Sequence, residues 1–143
     1  MSSLLVDTSV LIKWFHSEGE SEVPEARALR DAHLGGYLEV LILDLAVYEV
    51  GNVLVRALRW EAAEVAGQID DLLTICGPPL IMAAPWLSVA AEIAVSHRLS
   101  FYDAAWSAAA EGLEVPLVSA DHALIRAGRA QSATAMTAQL GLL

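Results

Sequence analysis

Four acidic residues occupy positions from which their side chains could reach one site. Asp7 directly follows a short apolar run near the start of the chain, and Asp121 follows a second apolar run after two small residues. Asp103 lies three residues after a serine that can begin a helix, and Glu49 lies inside a strongly apolar segment. A charge in such a segment costs free energy if it is buried without a partner.

The residue types define the chemistry that a shared site could carry out. Several carboxylates within a few ångströms cannot all remain ionised unless a cation binds or a pKa rises. Because no histidine or cysteine accompanies them at matching positions, an all-oxygen site favours Mg²⁺ or Mn²⁺ over zinc. A metal held in this way can lower the pKa of a water and stabilise the charge that develops during phosphodiester cleavage.

Apolar runs and helical periodicity predict the elements that must position these acids. The predicted strands cover residues 4–6, 39–43, 80–82 and 115–118. The predicted helices cover residues 8–15, 24–34, 45–60, 61–75, 85–97, 100–112 and 121–127. This alternation predicts a single α/β domain over residues 1–143, with a central parallel sheet of four or five short strands flanked by helices. Ligands gather outside the carboxyl ends of such strands, where Asp7 and Asp121 would project.

Each acid also has a purely structural interpretation. Asp7 and Asp121 can cap the helices that follow them, and Asp103 can form a capping box with Ser100. Glu49 can lie on a solvated helix face. Because four such coincidences would have to meet at one edge of the sheet, a shared acidic site is the preferred interpretation.

Composition excludes several classes of protein. The chain has 56% hydrophobic residues but no uncharged apolar stretch long enough for a membrane helix, and its first residues lack the pattern of a signal peptide. One cysteine rules out a disulfide framework, and the absence of a Gly-Lys pair rules out a Walker P-loop. We therefore expect a cytoplasmic protein without a membrane segment.

The apolar excess predicts that a partner covers part of the surface. A net charge of −10 argues against strong nonspecific nucleic-acid binding but is compatible with a metal-dependent nuclease.

Four segments together resemble a known family. In chain order, LLVDTSVLIKWF, LAVYEVGNVLVRAL, LSFYDAAWSAAAE and PLVSADHALI are similar to the four acidic motifs of PIN-domain ribonucleases. Within that family the chain most resembles the VapC-type toxins of toxin–antitoxin pairs. The resemblance covers nearly the full chain. It implies an Mg²⁺-dependent endoribonuclease that cleaves RNA, is inhibited by a cognate antitoxin protein and often forms a homodimer.

The resemblance also assigns roles to individual residues. It implies that the metal-binding and catalytic acids are Asp7, Glu49, Asp103 and Asp121. It further implies that the hydroxyl groups of Ser9 and Ser119 support the site.

Three other functions share part of this pattern. A haloacid-dehalogenase-type phosphatase needs a second aspartate two residues after the first, and Ser9 occupies that place. A housekeeping PIN nuclease that processes RNA without an antitoxin would share every residue named here, so this alternative stays open. A catalytically inactive PIN-like interaction module also stays open, although the presence of all four acids argues against it.

Polar residues in the segment around Glu49 predict a substrate-binding surface. Glu49, Asn52, Arg56 and Arg59 are separated by three, four and three residues, which places them in one stripe if the helix is regular. We expect Asn52 to orient Glu49, and we expect Arg56 and Arg59 to hold RNA phosphates beside the scissile bond. The alternative is an ordinary solvated helix face.

Overall fold

A three-stranded parallel sheet forms the centre of the protein. The computed structural model describes residues 1–143 and has three strands, β1 (Ser2–Val6), β2 (Leu38–Leu41) and β3 (Leu117–Val118), in the order β2-β1-β3. Ser2 pairs with Leu38 on one side of β1, and Leu5 pairs with Leu117 on the other. Because all three strands run in the same direction, their carboxyl ends meet at one edge of the sheet.

The predicted sheet of four or five strands is wrong, because residues 80–82 do not form a strand. They contribute one isolated parallel bridge, between Leu80 and Leu43. The Leu80 N–H donates to the Ile42 carbonyl, and the Leu80 carbonyl accepts from the Asp44 N–H, both at 2.8 Å. Pairing ends there because the helix Leu45–Asn52 begins directly after Asp44 and a proline precedes Leu80, so neither segment can continue the ladder.

Eight α-helices flank the sheet. Their bounds are α1 (Thr8–Leu11), α2 (Val23–Leu34), α3 (Leu45–Asn52), α4 (Ala62–Cys76), α5 (Ala84–His97), α6 (Phe101–Leu113), α7 (His122–Arg126) and α8 (Ala133–Leu140). A 3₁₀ turn, Ile12–Trp14, extends α1. Helix α8 lies beyond the last predicted element; Ser132 caps it, and its buried Ala133 and Met136 join the main core. None of the eight combines the length and apolarity that crossing a bilayer requires.

The predicted helix over residues 45–60 is regular only in its first half. After Asn52 the backbone forms a π-helical turn, Val53–Ala57, and Arg59 has a left-handed φ of 56°. Asp44 precedes α3, where the sequence favours a helix cap, but its side chain makes no capping hydrogen bond to α3. A regular stripe from Glu49 to Arg59 therefore does not form.

Two hydrophobic clusters hold the elements together. The main core surrounds β1, whose Leu4, Leu5 and Val6 are fully buried. A smaller cluster joins α5 to α6 and is built largely from small residues such as Ala90 and Ala104. These small residues let α5 pack closely against α6, which carries Asp103. The packing of this helix pair therefore fixes where one of the four acids lies.

Gly112 gives a direct test of this close packing. A Cβ atom at Gly112 would overlap the indole ring of Trp86, with Cδ1 only 2.6 Å away, whereas one at Gly67 in α4 would meet no atom within 4 Å. Gly112→Ala should lower the free energy of unfolding by about 1–3 kcal/mol through overpacking. Gly67→Ala should raise it by about 0.5–1 kcal/mol because alanine has the higher helix propensity. Urea denaturation measures both values. Stabilisation by both substitutions would contradict the close approach of α5 and α6.

Candidate active site

Asp7 is held at the carboxyl end of the central strand. Its N–H donates to the Val118 carbonyl of β3 at 3.1 Å, which places the residue between two strand ends. Asp7 also caps α1: its Oδ1 accepts from the Ser9 N–H at 3.1 Å and from the Ser9 hydroxyl at 2.5 Å. The residue is only 4% exposed. The capping role and the site role therefore coexist, because the cap holds the carboxylate in place.

A hydroxyl pair ties Asp7 to the loop that carries Asp121. The Ser9 hydroxyl oxygen accepts from the Ala120 N–H at 2.8 Å and lies 3.4 Å from the Ser119 hydroxyl. The Ser119 hydroxyl oxygen in turn accepts from the Asp121 N–H at 2.9 Å. The two serines that the resemblance selects thus join the ends of β1 and β3.

Asp121 and Asp103 each lie at the start of a helix. Asp121 caps α7, where its Oδ1 accepts from the Ala123 N–H at 2.8 Å. Asp103 lies in the first turn of α6, and its N–H donates to the Ser100 hydroxyl at 3.0 Å. The Asp103 carboxylate takes no part in that capping bond, so it remains available to a ligand.

Glu49 is oriented by two residues that the sequence did not single out for the site. Its Oε1 accepts from the Thr8 hydroxyl at 2.8 Å and from the Trp106 indole N–H at 3.1 Å. These bonds link α3 to α1 and to α6. In the sequence, only their proximity to predicted site acids could have indicated these two residues. Thr8 directly follows Asp7, and Trp106 lies one helical turn after Asp103.

All four predicted acids line one open cleft with a volume of about 390 Å³. Thr8, Ser9 and Trp106 also line it, as do Lys13 and Glu20. The cleft lies where the carboxyl ends of β1 and β3 meet, as the predicted parallel sheet requires.

Burial and mutual repulsion weaken the acidity of two of these carboxyl groups. Burial is the largest cause that raises the pKa of Asp7 to about 6, and the negative charge of Glu49 adds to it; hydrogen bonds from Ser119 and Ser9 act in the opposite direction. The pKa of Asp103 is also raised to about 6, first by burial and then by the charge of Asp121. The cleft thus holds negative charge that no protein cation fully compensates, which is an environment that favours a bound cation.

The donor set fits a hard divalent cation. The four acids offer only carboxylate oxygens, which suit Mg²⁺ or Mn²⁺. No three acidic, histidine or cysteine side chains converge closely enough to form a finished metal site. Cation binding would therefore require the carboxylates to turn toward a common point within the cleft.

The three residues predicted beside Glu49 are not brought into the cleft. Asn52 is exposed and makes no hydrogen bond to Glu49, whose Oε1 is instead engaged by Thr8 and Trp106. Arg56 and Arg59 are exposed and do not line the cleft. Their contribution, if RNA binds, would come from outside the acidic site.

A parallel α/β sheet with a cluster of acids at its carboxyl edge is typical of metal-dependent nucleases. The PIN domain family model matches residues 4–130, so the chain is a member of the PIN domain family. Among individual proteins, it is 30% identical over 87 residues to exonuclease VapC9 of Pyrobaculum aerophilum, a match that covers 61% of this chain and 65% of that relative's length. The crystal structure of PAE2754 from the same organism superposes with a TM-score of 0.68 over 99% of this chain and 98% of the other, at 24% identity, and supports the fold alone.

The raised pKa values predict how stability depends on pH. Because Asp7 has a pKa of about 6 in the folded protein and 3.8 ordinarily, the folded state binds more protons between these values. The free energy of unfolding should therefore fall as pH rises from about 4 to about 6. Asp7→Asn removes this charge but keeps an acceptor for Ser9. Relative to the unsubstituted protein, the variant should gain stability over that interval, by up to about 3 kcal/mol.

Urea denaturation in the presence of a chelator measures this effect at about pH 4 and about pH 7.5. Asp70→Asn is the matched control, since Asp70 is exposed on α4 and its side chain makes no hydrogen bond. For each variant, the change in the free energy of unfolding is compared at the two pH values. If this change is as independent of pH for Asp7→Asn as for Asp70→Asn, burial does not raise the pKa of Asp7.

Proposed function

We propose that this protein is a divalent-metal-dependent ribonuclease that acts as the toxin of a toxin–antitoxin pair. The observation that carries the proposal is the convergence of Asp7, Glu49, Asp103 and Asp121 on one cleft. The name of the relative VapC9 supports a nuclease, and the sequence motifs resemble those of VapC-type toxins. An RNA substrate and an antitoxin partner would place this activity in the cytoplasm, and we propose that residues 1–143 act as a single PIN-like nuclease domain.

The cation would be held by the carboxylates of Asp7 and Asp103, with Glu49 and Asp121 completing the acidic wall. When bound, Mg²⁺ or Mn²⁺ supplies activation of water and stabilisation of charge in phosphodiester hydrolysis. The protein holds the carboxylates in position for this cation. Ser9 holds Asp7, while Thr8 and Trp106 hold Glu49 by the hydrogen bonds described above. Fixed donors of this kind reduce the reorganisation that substrate binding would otherwise require.

The mode of cleavage is a separate part of the proposal. The relative is named an exonuclease, whereas the motifs resemble those of endoribonucleases. We propose internal cleavage, because the cleft is open to solvent and a strand could pass through it without presenting an end. A circular single-stranded RNA tests this point, since only an endonuclease can cut it.

Asp7→Asn and Asp103→Asn should each abolish RNA cleavage while leaving the fold intact, because each removes a charged ligand from the cleft. In the unsubstituted protein, Mn²⁺ at a hundred times its dissociation constant should stabilise the fold by about 2.7 kcal/mol. This stabilisation should disappear in the Asp7→Asn/Asp103→Asn double variant. Gel analysis of linear and circular RNA and thermal unfolding measure the two effects.

Asp70→Asn is again the control and should keep both activity and metal stabilisation. A folded Asp7→Asn protein that cleaves RNA at the unsubstituted rate would contradict the assignment. Folded, metal-bound protein that cleaves no RNA would favour the alternative of an inactive PIN-like interaction module.

The antitoxin and the homodimer are further parts of the proposal. A net charge of −10 and an acidic cleft favour a basic segment as the inhibitor, by charge complementarity. Exposed apolar side chains, among them Tyr48 and Val95, offer surface that an antitoxin or a second copy of the chain could cover.

Co-expression with the protein of an adjacent antitoxin gene should therefore raise the soluble yield and suppress cleavage. Removal of the basic segment from the antitoxin should restore cleavage. Equal inhibition by the truncated antitoxin would contradict this mode of inhibition. The absence of such a gene would favour the alternative of a housekeeping PIN nuclease.

Arg56 and Arg59 remain proposed phosphate contacts outside the cleft, supported by their exposure on the segment that follows Glu49. The Arg56→Glu/Arg59→Glu double variant should bind single-stranded RNA more weakly. It should also flatten the dependence of log K on log salt by about 0.7 for each lost contact. Metal stabilisation should be unchanged. Equal RNA affinity and salt slope in the double variant would leave these arginines as part of an ordinary solvated surface.

A further inference from the structure

Lys13 is the only lysine of the chain and one of its most deeply buried charges. It lies on the 3₁₀ turn that extends α1, with 3% exposure, and it is the only basic residue among those that line the acidic cleft. A lysine is almost never buried so deeply unless its charge is paired. We therefore expect partners for the Lys13 ammonium group within the cleft.

The ammonium group of Lys13 has room for one more partner. It donates to Oε1 of Glu20 at 2.9 Å and to the Ser21 carbonyl at 2.7 Å. An ammonium has three N–H donors, so one has no acceptor within the protein. The turn itself is held in place, because the Lys13 carbonyl accepts from the Arg27 side chain at 3.0 Å. Lys13 is thus a fixed positive charge with unused donor capacity.

Glu20 is a partner that a ligand can replace. It lies on the loop between the 3₁₀ turn and α2, its side chain is 28% exposed, and it also lines the cleft. A carboxylate in this position presents to Lys13 the same anionic oxygen that a phosphate would present. Because only the Glu20 side chain faces solvent, it can turn away from Lys13 without disturbing the buried core.

We infer that Lys13 is a phosphate-binding residue of the cleft, and that Glu20 occupies this phosphate site when RNA is absent. The inference rests on the proposed ribonuclease function. A phosphodiester that approaches four carboxylates is repelled by them, and Lys13 is the only fixed positive charge inside the cleft that can offset this repulsion. The ligand is a phosphate of the RNA backbone, since a lysine binds phosphate as a point charge without reading the base.

The two partners of this ion pair should respond in opposite directions. If Lys13 binds phosphate, Lys13→Met removes a contact and should weaken RNA binding. Glu20→Gln removes the competing charge and should leave RNA binding equal or tighter. If the pair only anchors the loop, either substitution breaks the same anchor, and both should change RNA binding in the same direction.

The experiment measures binding of a labelled single-stranded RNA to the Asp103→Asn protein, which we expect not to cleave it, over a range of salt concentrations. Adding Lys13→Met should lower the affinity about tenfold or more and flatten the salt slope by about 0.7. Adding Glu20→Gln should preserve or increase both. Arg129→Met is the matched control, because it also removes one positive charge and breaks an ion pair, with Glu111, outside the cleft. It should leave the RNA affinity unchanged.

An unchanged affinity and salt slope in the Lys13→Met variant, or weaker binding in the Glu20→Gln variant, would overturn the inference. If Lys13→Met does not fold, as judged by thermal unfolding, the Glu20→Gln result decides alone. A parallel cleavage assay on the unsubstituted protein separates the two proposals. If the unsubstituted protein cleaves RNA but Lys13→Met does not lower the RNA affinity, only the phosphate site is overturned. If the unsubstituted protein neither cleaves nor binds RNA, the proposed function is overturned as well.

Discussion

The burial of Asp7 beside other carboxylates is the constraint on which the rest of this structure depends. Asp7 is almost fully buried and shares a cleft with four other acids, among them Glu49, whose charge adds to the effect of burial and helps to raise the pKa of Asp7 to about 6. Such an arrangement is unfavourable for the folded state without a cation. It persists because the surrounding core is large and because the N–H and hydroxyl of Ser9 donate hydrogen bonds to the Asp7 carboxylate that partly compensate the charge. The free energy of folding thus offsets the cost of an acidic site that either protonation or a bound cation would relieve.

The same constraint explains why several elements converge on one point. A parallel sheet brings the ends of β1 and β3 together, and Ser9 bonds the first end to the loop after the second. Glu49 reaches the cleft from α3 only because Thr8 and Trp106 hold its carboxylate. Asp103 arrives on α6, whose position depends on its close packing with α5. The supports of the four acids are therefore linked. Ser9 and Ser119 connect Asp7 to the loop of Asp121, and Trp106 connects Glu49 to the helix that carries Asp103.

The sequence predicts that the four acids lie together, because their positions in the fold follow from general rules. An acid that ends a parallel strand must lie at the carboxyl edge of the sheet, and this rule alone locates Asp7 and Asp121. The strand predicted over residues 80–82 does not form, because its single bridge at Leu80 ends where α3 begins, and tertiary context decides such a boundary. The predicted stripe failed because the backbone after Asn52 leaves the regular α-helix, which residue spacing cannot reveal. Thr8, Trp106 and Lys13 were missed because their roles arise from contacts between residues distant in sequence or on loops.

The central claim is that the acidic cleft is a divalent-cation site, and anomalous diffraction from crystals grown with Mn²⁺ tests it most directly. We expect an anomalous peak in the cleft, bound by carboxylate oxygens of Asp7 and Asp103. In crystals of the Asp7→Asn/Asp103→Asn double variant, that peak should be absent. A cleft without Mn²⁺ in the unsubstituted protein, at a concentration that stabilises its fold, would contradict the claim. A peak that persists unchanged in the double variant would contradict it equally.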